Sequence, residues 1–294
     1  MTATLCRVIV QVRTRELKES MKAALRYVKY AFAAPIINVA VLVFPRLSRG
    51  EAPLDAINFA GAGNFFSIGD DIVESLVSLA NLRGNESVLE IGCGIGRNAT
   101  ALYRRFSDRL NYLGFDIVRY GITWCQRHFG TRSKQHRFVH SNIYNSFYNP
   151  RGRLNPIEYV FPTSASSIDL VFATSVFTHM QSPEVRHYIQ ESARVLKPDG
   201  RIYFTSFILD EDSEQQIKVG KSSLTFVHQG HDCRIQDADE SDLAVAYSLP
   251  WIEKTLSEAG FQLQHIERCS WRGTDSPFYQ DIVIARKRVH LDGQ

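Results

Sequence analysis

The chain has 294 residues, 44% of them hydrophobic and 22% charged, which is enough to bury a substantial core. Its formal net charge of +3 is too small to imply nucleic acid as a partner. The five cysteines (Cys6, Cys93, Cys125, Cys233 and Cys269) are scattered without a Cys-x-x-Cys pair, which argues against a disulfide framework and for reduced thiols in a cytoplasmic protein.

In chain order, residues 1–55 stand apart as a basic and apolar helical extension. Arg13 to Lys29 is helix-compatible and carries Lys18, Lys22, Arg26 and Lys29. Tyr30 to Phe44 is almost wholly apolar, interrupted by Pro35 and Asn38. That run is shorter than the roughly 20 residues a membrane-spanning helix needs. It also begins too late for a secretory signal, and Pro45-Arg46 follows it. Two roles fit: a helix and tail that cap the core, or an interfacial segment over 13–44 that touches a membrane peripherally, bases on anionic headgroups.

Residues 56–294 read as one catalytic domain. Ser67 to Ala80 is expected to be a helix, with Ser67 and Asp70 as a capping pair and Ile68, Ile72 and Leu76 on one face. From Val88 onward, strands expected at 88–92, 111–116, 137–141, 168–173 and 201–207 alternate with helices near 96–106, 118–129 and 183–196. Such alternation implies a parallel sheet with helices on both faces. The Asn-, Pro- and Ser-rich stretch 145–166 reads as a long surface loop. Asp210 to Asp242 is strongly acidic and marks an insertion or lid, bounded at 209–245. A helix at 249–259 and strands at 261–267 and 279–285 complete the pattern.

The chemistry concentrates at Val88-Leu-Glu-Ile-Gly-Cys-Gly-Ile-Gly-Arg97. Val88, Leu89 and Ile91 read as a buried parallel strand. Gly92, Gly94 and Gly96, with Cys93 among them, form a turn that a ligand can approach closely. A dinucleotide fingerprint needs Gly-x-Gly-x-x-Gly. Here the third glycine comes one residue early, and Glu90 precedes the turn. A carboxylate at the mouth of the loop would repel a pyrophosphate but suits a ligand bearing an ammonium group, which favours S-adenosyl-L-methionine over NAD. One strand further on, Asn111-Tyr-Leu-Gly-Phe-Asp116 ends in a carboxylate that can accept both ribose hydroxyls of an adenosine, with Ile117 offering an apolar face to the adenine. Asp116 can equally serve as a cap for the following helix, and the two roles are compatible.

Glu90 to Gly96 together with Asp116 resemble the class I S-adenosylmethionine-dependent methyltransferases. The similarity continues through Ser167-Ile-Asp-Leu-Val-Phe-Ala-Thr-Ser-Val-Phe-Thr-His-Met180 and Arg194-Val-Leu-Lys-Pro-Asp-Gly200, covering roughly residues 60 to 288. The phrases Tyr148-Asn-Pro150, Ser175-Val-Phe-Thr-His-Met180 and Tyr279-Gln-Asp-Ile-Val283 are similar to a bacterial subgroup associated with glycan and glycolipid biosynthesis. The resemblance implies an α/β, Rossmann-like, seven-stranded, mostly parallel sheet with helices on both faces and the last strand antiparallel. It also implies a cofactor site at the strand ends. Many members carry an aspartate where Asn142 stands, accepting from the adenine amino group; Asn142 can still accept through its amide oxygen. Ile143 beside it and Thr174 at the end of the fourth strand complete the expected cofactor contacts.

Methyl transfer from a sulfonium is an in-line displacement, and a hydroxyl acceptor must lose its proton as the bond forms. His179, six residues beyond the fourth strand, is the candidate base; a purely structural or helix-capping histidine is the competing role. His228, His231 and Cys233 match no standard zinc spacing, and a lid segment is the simpler role, so no metal is expected. Trp271, Tyr279 and Asp281 could stack on and hydrogen-bond a sugar, although strand-end packing is their simpler role.

The fourth strand lacks the Asn/Asp-Pro-Pro-aromatic motif of amino-directed nucleic-acid methyltransferases. Cys125 has no preceding proline, unlike a cytosine-attacking nucleophile. The leading expectation is O-methylation of a sugar hydroxyl on a glycan, glycolipid or nucleotide-linked precursor. A lipid or another small molecule is the next acceptor class. An NAD-dependent oxidoreductase and a non-catalytic cofactor-binding protein are the rivals from other classes.

Overall fold

The apolar residues Val88, Leu89 and Ile91, with Glu90 among them, form β1 (Ser87–Ile91), a central strand paired in parallel on both sides. The computed structural model describes residues 34–44, 50–53, 58–59, 63–146, 148–236 and 244–289. β1 is flanked by β2 (Asn111–Asp116) in the register Ser87 to Asn111, and by β4 (Ile168–Ala173) in the register Val88 to Leu170. β3 (His136–His140) lies outside β2, and β5 (Leu196–Leu209) lies outside β4, both parallel. Beyond β5 come β10 (Asp281–Lys287), antiparallel to it, and then β9 (Phe261–Glu267), antiparallel to β10. The order β3-β2-β1-β4-β5-β10-β9 is the expected seven-stranded arrangement with one reversed strand.

Alternate residues of the strands serve opposite faces. Val88, Leu170, Tyr203 and Ile282 join one buried cluster with α2 (Phe65–Ser78), α3 (Arg97–Phe106) and α4 (Arg119–Phe129). Leu89, Val171, Ile202 and Val283 join a second, with α5 (Ser182–Val195) and α7 (Leu249–Glu258). Burial on both faces explains why these strands read as apolar runs rather than as alternating patterns.

The structure departs from expectation at several points. The sheet has ten strands among the described residues, not seven. The extra three are β6 (His228–Gln229) and β7 (Arg234–Ile235), from the acidic insertion, and β8 (Val245–Ser248), which begins where the insertion ends. β8 pairs in parallel with Phe207–Leu209, the overhang of β5 beyond its pairing with β10. Helix α6 (Glu211–Lys218) precedes them, capped by Asp210, whose side chain accepts from Ser213 N. The insertion is thus partly sheet; residues 237–243 within it lie outside the described residues. β5 starts earlier than expected, because Leu196 already pairs with Ile168. The cap of α2 is Asn64, whose Oδ1 accepts from Phe66 N and Ser67 N at 3.0 Å; Ser67 stands inside the helix and is no cap.

The basic stretch Arg13 to Lys29 lies outside the described residues. Within the apolar run, α1 (Ala34–Val43) forms and packs against α4. Pro35 is the second residue of α1 as described, and the helix continues beyond it to Val43, so Pro35 does not break the run. No helix among the described residues is long and apolar enough to cross a membrane.

Candidate functional site

β1 ends at Ile91, and the chain turns through Gly92, Gly94 and Gly96 with φ of +69°, +58° and +79°. Two demands coincide at Gly92: the left-handed backbone, and a Cβ that would fall 2.5 Å from Val176 Cγ2. The turn hangs from the end of β2, since Gly92 N and Cys93 N both donate to Phe115 O, at 2.9 and 3.0 Å. Gly94 N donates to Asp116 Oδ2 at 2.8 Å, and Val118 N to Asp116 Oδ1 at 2.7 Å. Asp116 therefore organises both the glycine turn and the entry to α4. Burial pushes its carboxyl up to about 6, against the backbone donors that favour the charged form. The Ile117 amide is a third backbone donor to this carboxylate, whose two oxygens together still have lone-pair capacity beyond three donors.

Glu90 does not stand at the mouth of the loop as expected. It is 1% exposed, in the wall behind the turn, with Oε1 accepting from Asn98 Nδ2 at 2.8 Å and Oε2 from the Tyr112 hydroxyl. Gly114, directly opposite Glu90 on β2, makes this contact sterically feasible, because a Cβ there would collide with the Tyr112 hydroxyl. Burial dominates and pushes the Glu90 carboxyl up to about 8, the nearby Asp116 charge adding to it. Asn98 also donates to Thr174 Oγ1 at 3.0 Å, tying β1 to the end of β4.

A cavity of about 660 Å³ opens at the carboxyl ends of the parallel strands, where open α/β sheets bind their ligands. Glu90, Gly92, Cys93, Gly94, Asp116, Ile117, Ile143, Thr174 and His179 border it. Gly96 and Asn142 do not. Gly96 caps α3 with its Cα facing Cys125, whose Sγ would be 2.8 Å from a Cβ there. The Asn142 amide oxygen accepts from Asn149 Nδ2 at 3.1 Å, so the side chain braces the following loop instead of reaching an adenine amino group.

After Thr174 the backbone enters the left-handed region at Ser175, φ +57°, a non-glycine conformation that needs support. Ser175 N donates to Thr205 Oγ1 at 2.7 Å, and Gln280 Nε2 donates to Ser175 Oγ at 2.9 Å. Thr205 Oγ1 in turn donates to Gln280 Oε1 at 2.6 Å. This network aims the short helical turn Phe177–His179, and His179 meets the Tyr148 ring edge-on at 5.6 Å. β8 supports the same turn, where Tyr247 donates to Met180 O at 2.5 Å.

The other half of the cavity is bordered by Phe59, Tyr144, Tyr148, Tyr188, Phe278 and Tyr279, with Gln280 and Glu184 as polar members. Of the three aromatic and acidic residues expected near the last strands, Tyr279 alone borders the cavity. Trp271 and Asp281 are fully buried in strand-end packing. His228 pairs with Ile235 in the insertion, and among the described residues no group of three or more His, Cys, Asp or Glu side chains could hold a metal. Arg97 was missed from sequence. It opens α3 immediately after the glycine turn and borders the cavity with its guanidinium partly desolvated; its position as first residue of a helix beyond a ligand loop was the available signal.

The residues fit S-adenosyl-L-methionine: a carboxylate with spare lone pairs at the tip of β2, an apolar shelf at Ile117, and a buried acid behind the turn. Residues 89–204 match the family described as a methyltransferase domain, for which this is the cofactor. Among curated proteins, the chain is similar to 27-O-demethylrifamycin SV methyltransferase of Amycolatopsis mediterranei (strain S699), 24% identical over 69% of this chain and 74% of that one. Among solved structures, it resembles the PH0226 protein from Pyrococcus horikoshii OT3, with a TM-score of 0.52 and 15% identity over 80% of this chain and 96% of that one. It also resembles magnesium protoporphyrin IX methyltransferase from Synechocystis PCC 6803 with bound S-adenosylhomocysteine, with a TM-score of 0.50 and 18% identity over 90% and 99%. The likeness to these solved structures shows a Rossmann-like fold.

Proposed function

We propose that this chain is an S-adenosylmethionine-dependent O-methyltransferase, with a sugar hydroxyl on a glycan, glycolipid or nucleotide-linked precursor as its acceptor. The observation that carries the proposal is one cavity holding both the Gly92–Asp116 turn and a tyrosine-lined half, with His179 among its walls. The cofactor supplies an electrophilic methyl group on sulfur. Asp116 accepts the ribose hydroxyls, and Ile117 packs on the adenine. The Arg97 guanidinium takes the methionine carboxylate, and Glu90 supplies negative charge behind the ammonium group.

On the acceptor side, Tyr148 and Tyr279 provide aromatic faces, and Gln280 and Glu184 provide polar contacts for a hydroxylated ligand. His179 would take up the proton that the acceptor hydroxyl gives up. The apolar walls exclude water, which would otherwise compete for the methyl group. Domain limits follow from the same reading: the catalytic unit is 56–294, with 1–55 as an extension and 209–245 as an insertion.

A second acceptor class is favoured by a specific observation. The curated relative is named for methylating an oxygen of a rifamycin, and Phe59, Met180 and Phe278 make part of the wall apolar. A lipid or other bulky small molecule is therefore the alternative substrate. Methyl transfer from labelled cofactor to a panel of deoxysugar glycosides, glycolipids and macrocyclic alcohols separates the two. Product on the carbohydrates supports the sugar reading, product confined to the others replaces it, and no transfer to any hydroxyl overturns O-methylation.

A further inference from the structure

Charge is distributed very unevenly along this chain. Residues 1–49 hold nine of its 34 lysines and arginines and two of its 31 acids, a net +7; the remaining 25 basic and 29 acidic residues give −4. The whole positive balance of the protein therefore precedes the catalytic domain. At the end of that basic stretch stands α1, whose ten residues Ala-Pro-Ile-Ile-Asn-Val-Ala-Val-Leu-Val include no charge.

The orientation of α1 is the second observation. Ile37 is half-buried against the core on the side of α4. Ile36, Val39 and Val43, spaced to fall on one helical face, point away from it and are 72%, 56% and 60% exposed. Phe44, the next residue, is 60% exposed. A charge-free helix that turns an apolar stripe outward is unusual for a surface bathed in water.

We propose that α1 docks on an anionic lipid surface, with Ile36, Val39, Val43 and Phe44 entering the acyl boundary and the basic residues of 1–33 neutralising headgroups. Apolar insertion and electrostatic attraction reinforce each other in such interfacial segments, and one alone gives only weak, reversible binding. A second copy of the chain is the poorer occupant. Face-to-face packing of two α1 helices would bring two +7 segments together, and like charge across an interface is costly. The inference is independent of the proposed acceptor and of methyl transfer itself.

The test is flotation of the full chain with vesicles of phosphatidylcholine alone and of equal parts phosphatidylcholine and phosphatidylglycerol. Wild type is expected to float with the mixed vesicles, to do so less as salt rises, and to stay behind with phosphatidylcholine alone. Ile36→Asp/Val43→Asp is expected to bind the mixed vesicles at least about tenfold less, two buried aliphatic side chains being worth that much. Ile36→Ala/Val43→Ala, which keeps helix propensity, should show an intermediate loss while binding S-adenosylhomocysteine as wild type does. Equal flotation of wild type and the Asp variant overturns the proposal. So does a concentration-dependent dimer that the Asp variant dissociates without any vesicle binding by wild type, which would assign the face to a second copy. A lowered melting temperature in both variants with unchanged flotation would assign it to packing within the chain.

Discussion

Asp116 Oδ2 accepts the Gly94 amide at 2.8 Å, so the tip of β2 holds the glycine turn at the end of β1. The sheet alone brings these two ends side by side, and this bond fixes the turn's height above the cavity. Asp116→Asn keeps the shape but turns one accepting oxygen into a donor, which cannot serve both a backbone N–H and a ribose hydroxyl. Affinity for S-adenosylhomocysteine is expected to fall about ten- to a hundredfold, the range for a hydrogen bond to a charged group. Titration calorimetry measures it, and an unchanged affinity would remove Asp116 from the cofactor site.

Glu90 makes stability depend on pH in a definite direction. Its carboxyl lies at about 8 in the folded protein against 4.5 when unperturbed, through burial. The folded state therefore keeps a proton that the unfolded chain releases, and this contribution is complete below 4.5 and lost as pH rises through about 8. Asp116 acts with the same sign, over the lower window from 3.8 to about 6. The ligand-free protein should thus melt at a lower temperature at about pH 8 than at about pH 6, and Glu90→Gln should flatten that slope. A slope unchanged by the substitution would mean that Glu90 is ionised throughout. Binding of an ammonium-bearing cofactor at neutral pH should draw the proton off Glu90, visible as a buffer-dependent binding enthalpy that Glu90→Gln abolishes.

His179 is held by the turn after Ser175 and by the edge of Tyr148 at 5.6 Å. As the proton acceptor it should matter to turnover and little to cofactor binding. His179→Ala is expected to lower kcat by about a hundred- to ten-thousandfold, with S-adenosylhomocysteine affinity within about threefold of wild type. Parallel losses in both quantities would recast His179 as a structural residue.

Much of this architecture can be read in the sequence where burial is two-sided. β2 and β4 fall at the expected residues because a central parallel strand is a bounded apolar run; β9, a largely exposed edge strand, also falls where expected. Asn64 was overlooked as a cap because Phe65 and Phe66 break the 3.6-residue rhythm that becomes visible only from Ile68. Two-residue strands such as β6 and β7 have no period to detect, so the insertion looked like a lid. Glu90 and Asp116 look alike in sequence, each an acid at a strand end. Both border the cavity, but Glu90 is held by the Tyr112 and Asn98 side chains, 22 and 8 residues away, whereas Asp116 is held by the backbone amides of Gly94 and Val118.

Asp281 and Arg272 form a fully buried ion pair, with Arg272 Nη2 donating to Asp281 Oδ2 at 2.7 Å and both side chains 0% exposed. The same carboxylate accepts from Trp271 Nε1 at 2.7 Å, Cys269 N at 2.8 Å and Ile208 N at 3.1 Å. Arg272 Nη1 reaches on to Asp210 Oδ1 at 2.8 Å, the cap of α6. One knot therefore joins the start of β10, the end of β5 and the root of the insertion. Removing one partner of such a pair strands the other charge away from water. Asp281→Ala is expected to destabilise the fold by about 3–5 kcal/mol, read from urea unfolding. Because Gln280, next to Asp281, supports the Ser175 turn, the surviving folded enzyme should also show reduced turnover. Arg272→Met/Asp281→Leu, which removes both charges and fills the volume, should recover much of the stability. A loss below about 1 kcal/mol in Asp281→Ala would show that Asp210 and Asp212 hold Arg272 without Asp281.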